Sequence, residues 1–114
     1  MSMAQLQSYG LPDEWPAVLP PAQPIPFTAA ASKLLTNKAC VLMGWSNQNH
    51  GAGSDILTFI DGSDANGQVV GYSRMATGTS DTEILAPSGV ICQTGLFVEM
   101  SAGTTNGVVY VIIL

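Results

Sequence analysis

Residues 95–114 read GLFVEMSAGTTNGVVYVIIL, and this stretch decides the fold. In its first seven residues every second side chain is apolar, which indicates a β-strand with one buried face. Asn106-Gly107 is a type I′ hairpin signal between this strand and the next one. Residues 108–114 are apolar on both faces, a pattern typical of a strand that is covered on both sides. The stretch therefore predicts two neighbouring strands, the second of them enclosed by other structure.

From residue 38 onward, the rest of the chain also consists of short β-rich runs. Clusters of Gly, Asn, Asp, Ser and Thr separate the runs at intervals of about 8–12 residues. We predict strands near residues 39–46, 55–61, 68–75, 81–86, 90–93, 95–101 and 107–114. Residues 28–35 suit either a further strand or a short helix. The pattern predicts an all-β domain over residues 28–114, an antiparallel two-sheet sandwich or jelly roll with no long helix.

Residues 1–27 differ in composition and predict an extended Pro-rich N-terminal arm. Six of the seven prolines lie between Pro12 and Pro26, and proline favours extended backbone while removing a hydrogen-bond donor. The prolines are expected to prevent regular strand pairing here. The arm also carries apolar side chains that need a surface to lie on: Leu11, Trp15, Val18, Leu19, Ile25 and Phe27. These residues either cover their own domain or bind a neighbouring subunit, and we expect the second, with Trp15 as an anchor.

Composition excludes several classes of function. The chain has 114 residues, of which 46% are hydrophobic and only 10% charged, with a net charge of −5. Three basic residues are too few to neutralise many phosphates, so we expect no nucleic-acid partner. No apolar run reaches the ~18 residues that a membrane span needs, and no secretory signal is expected. Low charge in a folded domain is instead typical of subunits with extensive protein interfaces.

The sequence offers little for catalysis or metal binding. The one histidine, His50, lies in a polar loop without a nucleophile motif, and an exposed loop histidine is the favoured interpretation. One His and two Cys cannot complete a four-ligand zinc site. Residues 61–67, DGSDANG, lack the calcium-loop register, which favours Asx turns there. We therefore predict no enzyme activity, no catalytic residue, no metal and no cofactor.

The two cysteines, Cys40 and Cys92, both lie within predicted apolar strands. Either a disulfide or two buried thiols would suit these positions, and buried thiols are the commoner outcome in a domain that can build its own core.

Residues 38–114 resemble the small β-sandwich structural proteins in the virions of tailed bacteriophages. The resemblance rests on turn and strand motifs: Gly44-Trp45-Ser46-Asn47, Asp61-Gly62-Ser63-Asp64 with Gly67, Gly89-Val90, Gly95-Leu96-Phe97-Val98, and Gly103 to Gly107 followed by Val108-Val109-Tyr110-Val111. It implies a capsid decoration (cement) protein on the outer surface of the virion, or a component of tails or fibres. We expect a homo-oligomer, a trimer, that braces the lattice of the major capsid protein.

Two further expectations concern surfaces. Val111 and Ile112 point to opposite sides of the last strand, and we expect both sides to be covered, so both are candidate interface residues. A carbohydrate-binding module is the alternative from a different class, since Trp15, Trp45 and Tyr72 could form an aromatic platform.

Overall fold

The computed structural model describes residues 21–85 and 89–114, which form two antiparallel β-sheets packed face to face. This confirms the predicted all-β sandwich. Every element in the described ranges is a strand. The described residues accordingly include no helix of the length and hydrophobicity that crossing a lipid bilayer requires.

Nine strands make up the two sheets. In chain order they are β1 (Gln23–Phe27), β2 (Ser32–Thr36), β3 (Cys40–Asn49), β4 (Asp55–Asp61), β5 (Gln68–Met75), β6 (Ser80–Ile84), β7 (Val90–Cys92), β8 (Leu96–Met100) and β9 (Thr105–Ile113). The five-stranded sheet has the order β1-β9-β3-β6, with β7 also paired to β3. The four-stranded sheet has the order β2-β8-β4-β5. The ambiguous residues 28–35 thus contain the start of a strand, β2, because its partner β8 offers an edge for pairing.

The N-terminal boundary differs from the predicted one. Residues 23–27, assigned to the arm, form β1 and pair in register with β9, so the sandwich begins at Gln23 rather than at residue 28. The expectation that prolines would prevent pairing is wrong here. Pro24 and Pro26 lie at an edge of the sheet, where the missing N–H groups can face away from β9 and leave its ladder intact.

The core lies between the two sheets and consists of inward-facing apolar side chains from both. Trp45 of β3 stacks on Phe59 of β4, with ring centroids 4.6 Å apart, and so joins the sheets. Gly71 leaves the space that the Trp45 ring occupies, since a Cβ there would lie 3.1 Å from it. The buried set is Phe27, Cys40, Leu42, Trp45, Leu57, Phe59, Met75, Cys92, Leu96, Val98, Met100, Val109 and Val111.

A buried carboxylate fastens the loop that enters β9. Asp55 accepts hydrogen bonds from Ala102 N at 2.8 Å, Thr105 Oγ1 at 2.7 Å, Thr104 N at 3.1 Å and Ser101 Oγ at 3.3 Å. Burial raises the pKa of Asp55, but these hydrogen bonds to the ionised form outweigh burial, so its pKa is lowered from the ordinary value. The ionised Asp55 carboxylate therefore accepts hydrogen bonds from loop N–H and O–H groups that strand pairing does not satisfy.

A second carboxylate does the same at the other end of β4. Asp61 accepts hydrogen bonds from the backbone N–H groups of Gln93 and Thr94, both at 2.9 Å, and of Gly95 at 3.4 Å. These bonds outweigh the raising effect of burial and lower the pKa of Asp61. Each end of β4 thus holds a different connection between the sheets, Asp61 the β7–β8 turn and Asp55 the β8–β9 loop. Since β8 and β9 belong to different sheets, the hairpin predicted at Asn106-Gly107 is wrong, and both residues lie within β9.

Replacing Asp55 by Asn should lower the free energy of unfolding at pH 7 by about 1–3 kcal/mol, since the amide presents a donor to groups that are themselves donors. A carboxylate whose pKa is lower in the folded than in the unfolded state stabilises the fold at pH values above the unfolded-state pKa. This stabilisation is lost as the pH falls through the folded-state pKa. The difference between wild type and D55N should therefore shrink below about pH 4. Denaturant titrations at pH 7 and at low pH measure it.

The matched control is Asp64→Asn, because Asp64 is exposed and accepts a single bond from Asn66 N. That variant should unfold like wild type at both pH values. A D55N deficit of the same size at neutral and acidic pH would contradict the role assigned to the ionised carboxylate.

Cys40 and Cys92 lie directly opposite each other in the β3–β7 pair, and both are free and fully buried. This agrees with the thiol interpretation of the sequence. Burial raises the pKa of both thiols, that of Cys92 to about 12, so little thiolate forms at neutral pH.

Both thiols should consequently react with a soluble disulfide reagent at least about 100-fold more slowly in the native protein than in denaturant, because the thiolate is the nucleophile. The time course of colour release with Ellman's reagent measures this. Denatured protein serves as the control and should release two equivalents, one per cysteine. Fast native labelling would show that β7 leaves β3 readily.

Candidate assembly surface

The outward side of the five-stranded sheet is uncharged over its whole described extent. Alternation along each strand places these residues outward: Pro24, Pro26, Val41, Gly44, Ser46, Gln48, Ser80, Thr82, Ile84, Ile91, Asn106, Val108, Tyr110 and Ile112. The only charged residues in the described strands of this sheet, Asp81 and Glu83, belong to the inward row of β6. We call this outward side the apolar face.

Several apolar side chains on this face lie open to solvent. Ile84 is 76% exposed, Ile91 is 63% exposed and Tyr110 is 39% exposed. They are neighbours across the sheet, because Tyr110 pairs with Gly44 and Gly44 with Ile84, while Ile112 and Ile91 both pair with Val41 in the next outward row. The result is a continuous apolar patch rather than single exposed residues, and such patches mark interaction surfaces.

The opposite side of the molecule has a different character. The outward residues of the four-stranded sheet include the charged Arg74 and Glu99, and also exposed apolar side chains: Leu34 at 41%, Val69 at 42% and Tyr72 at 64%. Both sheets therefore expose large apolar side chains, and the difference between them is that the four-stranded sheet also carries charge on its outward side. Because a charge-free face is the easier one to bury, we take the apolar face as the candidate functional surface.

A groove crosses the apolar face between β6 and β9. It has a volume of about 400 Å³, and its lining residues are Met43, Gly44, Trp45, Thr82, Glu83, Ile84 and Tyr110. Gly44 must be a glycine here, because a Cβ at this position would overlap the Glu83 carbonyl oxygen. The β3–β9 register also shifts between Leu42 and Gly44, which places one extra residue, Met43, beside the groove.

The position of Trp45 beneath the groove is held by a polar chain between the sheets. Its Nε1–H donates to Asp81 Oδ2 at 3.0 Å, and Ser73 Oγ donates to the same oxygen at 2.7 Å. Asn47 Nδ2 donates in turn to Ser73 Oγ at 3.0 Å. Trp45 is only 4% exposed and stacked on Phe59, so it is a core residue and offers no open ring face for a sugar.

The predicted interface residues separate into three groups. Val111 is fully buried in the sandwich core, so its assignment to an interface is corrected: the inward face of β9 packs on the second sheet. Phe27 and Ile25 likewise pack in or against this chain's own core, because β1 belongs to the sheet. Ile112, half-buried, lies on the apolar face.

Four predicted residues of the arm, Leu11, Trp15, Val18 and Leu19, lie outside the described residues. Conversely, Ile84 and Ile91 were not singled out from the sequence. Their runs are short, and a short alternating run does not reveal which of its rows faces the core. The two prolines of β1 were visible as an extended segment but not as an edge of this face.

The candidate chemical groups are placed as the loop interpretation predicts. His50 is exposed, and its backbone N–H donates to Thr104 O at 3.0 Å. Asp64 Oδ1 accepts from Asn66 N at 2.8 Å, an Asx turn within the loop that resembles a calcium site. Within residues 21–85 and 89–114, His, Cys, Asp and Glu side chains do not gather in groups of three that could hold a metal ion.

Comparison with known proteins gives little to place beside this geometry. No family model and no curated protein matches the chain. A solved structure described as a disulfide-linked pilus of Bacillus endospore appendages is similar at 16% identity, over 84% of this chain and 88% of that chain, with a TM-score of 0.45. At that level the likeness carries no argument about assembly or function.

An aspartate should lower the free energy of unfolding by different amounts on the two sides of β9. Val111→Asp should lower the free energy of unfolding by more than about 3 kcal/mol, since it places a carboxylate in the core. Ile112→Asp, one residue away on the apolar face, should cost clearly less, about 1–2 kcal/mol, because its side chain is half-buried rather than enclosed by the core. Urea unfolding of both variants measures this. Equal losses in the isolated protein would mean that Ile112 is also part of a core.

Proposed function

We propose that this protein is a non-enzymatic structural subunit of a virion, of the capsid decoration type, which binds the lattice of the major capsid protein on its outer surface. The observation that carries the proposal is the uncharged apolar face, with Ile84, Ile91 and Tyr110 open to solvent in the single chain. The resemblance of residues 38–114 to small β-sandwich virion proteins of tailed bacteriophages supplies the kind of assembly.

The composition of the apolar face is what a permanent interface needs. Stable interfaces are depleted of Lys, Glu and Asp in their centres and enriched in apolar and aromatic side chains. The face carries Ile, Val, Pro and Tyr at neighbouring positions, whereas the charges of the described sandwich lie elsewhere. Burying such a patch removes apolar area from water, which is favourable by roughly 25 cal/mol per Å² before the costs of association.

The rest of the fold suits a passive, durable component. Three buried or half-buried side chains, Asp55, Asp61 and Asn49, satisfy loop backbone groups, so the loops are tied to the sandwich rather than presented for chemistry. Among the residues that line the groove, only Glu83 and Tyr110 carry a titratable group, and the Glu83 side chain belongs to the inward row of β6. Acid–base catalysis usually relies on pairs of groups with separated pKa values, and the groove is a poor candidate for it.

Occupancy of undecorated heads of the source particle tests the proposal. Full-length wild type should bind at high copy number, measured against the major capsid protein on a stained gel. Ile84→Asp and Ile91→Asp should each reduce occupancy strongly, because each introduces a charge into the buried centre of the contact. Since both side chains are mostly exposed in the free protein, their unfolding midpoints should stay close to wild type.

The matched control is Tyr72→Asp, an equally exposed substitution on the opposite sheet, which should bind like wild type. Unchanged occupancy for both isoleucine variants would overturn the assignment of the apolar face. Recovery of the protein with purified tails at low copy number, and not with heads, would move it to a tail or fibre.

A further inference from the structure

Cys40 and Cys92 are two nucleophilic side chains that meet in the core and take no part in the apolar face. They are Cα partners in the antiparallel pairing of β3 with β7, and neither is exposed to solvent. Residues directly opposite each other in such a pair project to the same side of the sheet, with Cβ atoms about 4.5–5.5 Å apart. The two thiols therefore lie side by side in the same core.

This arrangement meets the geometric requirement of a disulfide. The Cα atoms of disulfide-bonded cysteines are usually about 4.4–6.8 Å apart, and opposite residues of antiparallel strands are about 4.5 or 5.5 Å apart. After burial, which is the largest cause, interaction between the two thiols also contributes to the pKa of each. The chain has two cysteines, so no other pairing within one molecule competes with this one.

We propose that Cys40 and Cys92 are an oxidisable dithiol that closes into a cross-strand disulfide and fastens β7 to β3. The structure shows the reduced form. β7 has three residues, and among the described strands it pairs with β3 alone, so few hydrogen bonds hold it. It carries Ile91, which is 63% exposed on the apolar face. A covalent bond at Cys92 would therefore fix one of the exposed isoleucines of that face.

A soluble disulfide such as glutathione disulfide is the oxidant. The thiolate of one cysteine attacks it, which forms a mixed disulfide and releases one glutathione thiolate. The thiolate of the other cysteine then attacks the protein sulfur of the mixed disulfide and releases the second glutathione. In total the protein loses two electrons and two protons and gains one S–S bond, while one glutathione disulfide becomes two glutathione thiols.

Burial decides when this reaction can occur. Both thiols are enclosed, and burial raises the pKa of each, so the folded reduced chain presents little thiolate to the oxidant. Closure therefore requires β7 to separate from β3, or it takes place while the chain folds. Once the bond has formed, the same burial keeps soluble thiols away from it.

The bond should stabilise the fold because it joins distant parts of the chain. Cys40 and Cys92 are 52 positions apart, and the segment between them contains β4, β5 and β6. A crosslink across so long a loop removes conformational freedom mainly from the unfolded chain. The oxidised protein should consequently melt about 10 °C or more above the reduced protein.

Refolding of the full-length protein in glutathione buffers tests the proposal. Reduced protein is diluted from urea into graded ratios of glutathione disulfide to glutathione, quenched with acid, and then labelled with a maleimide in denaturant. Mass spectrometry should find a monomer that is lighter by two hydrogen atoms and takes up no maleimide. Closure should be at least about 30-fold more favourable in the folded protein than in the same buffers with urea.

The variants Cys40→Ala and Cys92→Ala are the matched controls, since each keeps one thiol and should take up one maleimide or carry one glutathione. Hydrogen exchange then tests whether the bond fastens the strand. The β7 amides that bond to β3 should exchange at least about 10-fold more slowly in oxidised than in reduced wild type. The melting and exchange comparisons use wild type alone, so they do not depend on how the alanine variants fold.

Four results would overturn the proposal. They are a refolded chain that stays reduced or carries glutathione instead of the internal bond, a bond that joins two copies, an oxidised protein that melts no higher than the reduced one, and β7 amides that exchange equally fast in both forms. The disulfide can form whether or not the protein binds capsid heads, so the failure of either proposal leaves the other standing.

Discussion

The antiparallel pairing of β3 with β9 is the interaction on which the rest of the structure depends. These are the two longest strands, and they form the middle of the five-stranded sheet. β9 carries β1 on its free side, and β3 carries β6 and β7 on its own. Because side chains alternate across a strand, this one register decides two surfaces at once: Val109 and Val111 enter the core, and Tyr110 and Ile112 face outward.

Loops around this sandwich are held mostly by side chains rather than by further strands. Asp55 and Asp61, at the two ends of β4, accept hydrogen bonds from the backbone that precedes β9 and β8. Asn49, fully buried at the end of β3, bonds to Gly51 N, Thr104 Oγ1 and Gly53 O. Buried polar groups of this kind stabilise only when they are satisfied, so the loops are part of the folded core in an energetic sense.

The outward sides of the two sheets differ in charge, since Arg74 and Glu99 lie on the four-stranded sheet and the described outward positions of the five-stranded sheet are uncharged. A carboxylate or an ammonium group on the apolar face would make it less favourable to bury that face. The described outward positions contain neither group. The prolines of β1 lie at the edge of this sheet, where they remove two backbone N–H groups. An edge that lacks free N–H groups is a poor template for pairing with a further strand.

The sequence by itself determined the strand class, most of the strand positions and the opposite orientations of Val111 and Ile112, because alternation and turn residues act locally. Residues 55–61 and 68–75 were predicted with the bounds that β4 and β5 have. Only the tertiary structure decided which side of each strand met the second sheet, that Pro24 and Pro26 could lie in a paired edge strand, and that Ile84, Ile91 and Tyr110 met on one face. Those outcomes depend on pairings between residues distant in the chain, such as Cys40 with Cys92 or Gly44 with Tyr110, and local composition contains no information on which strands become neighbours.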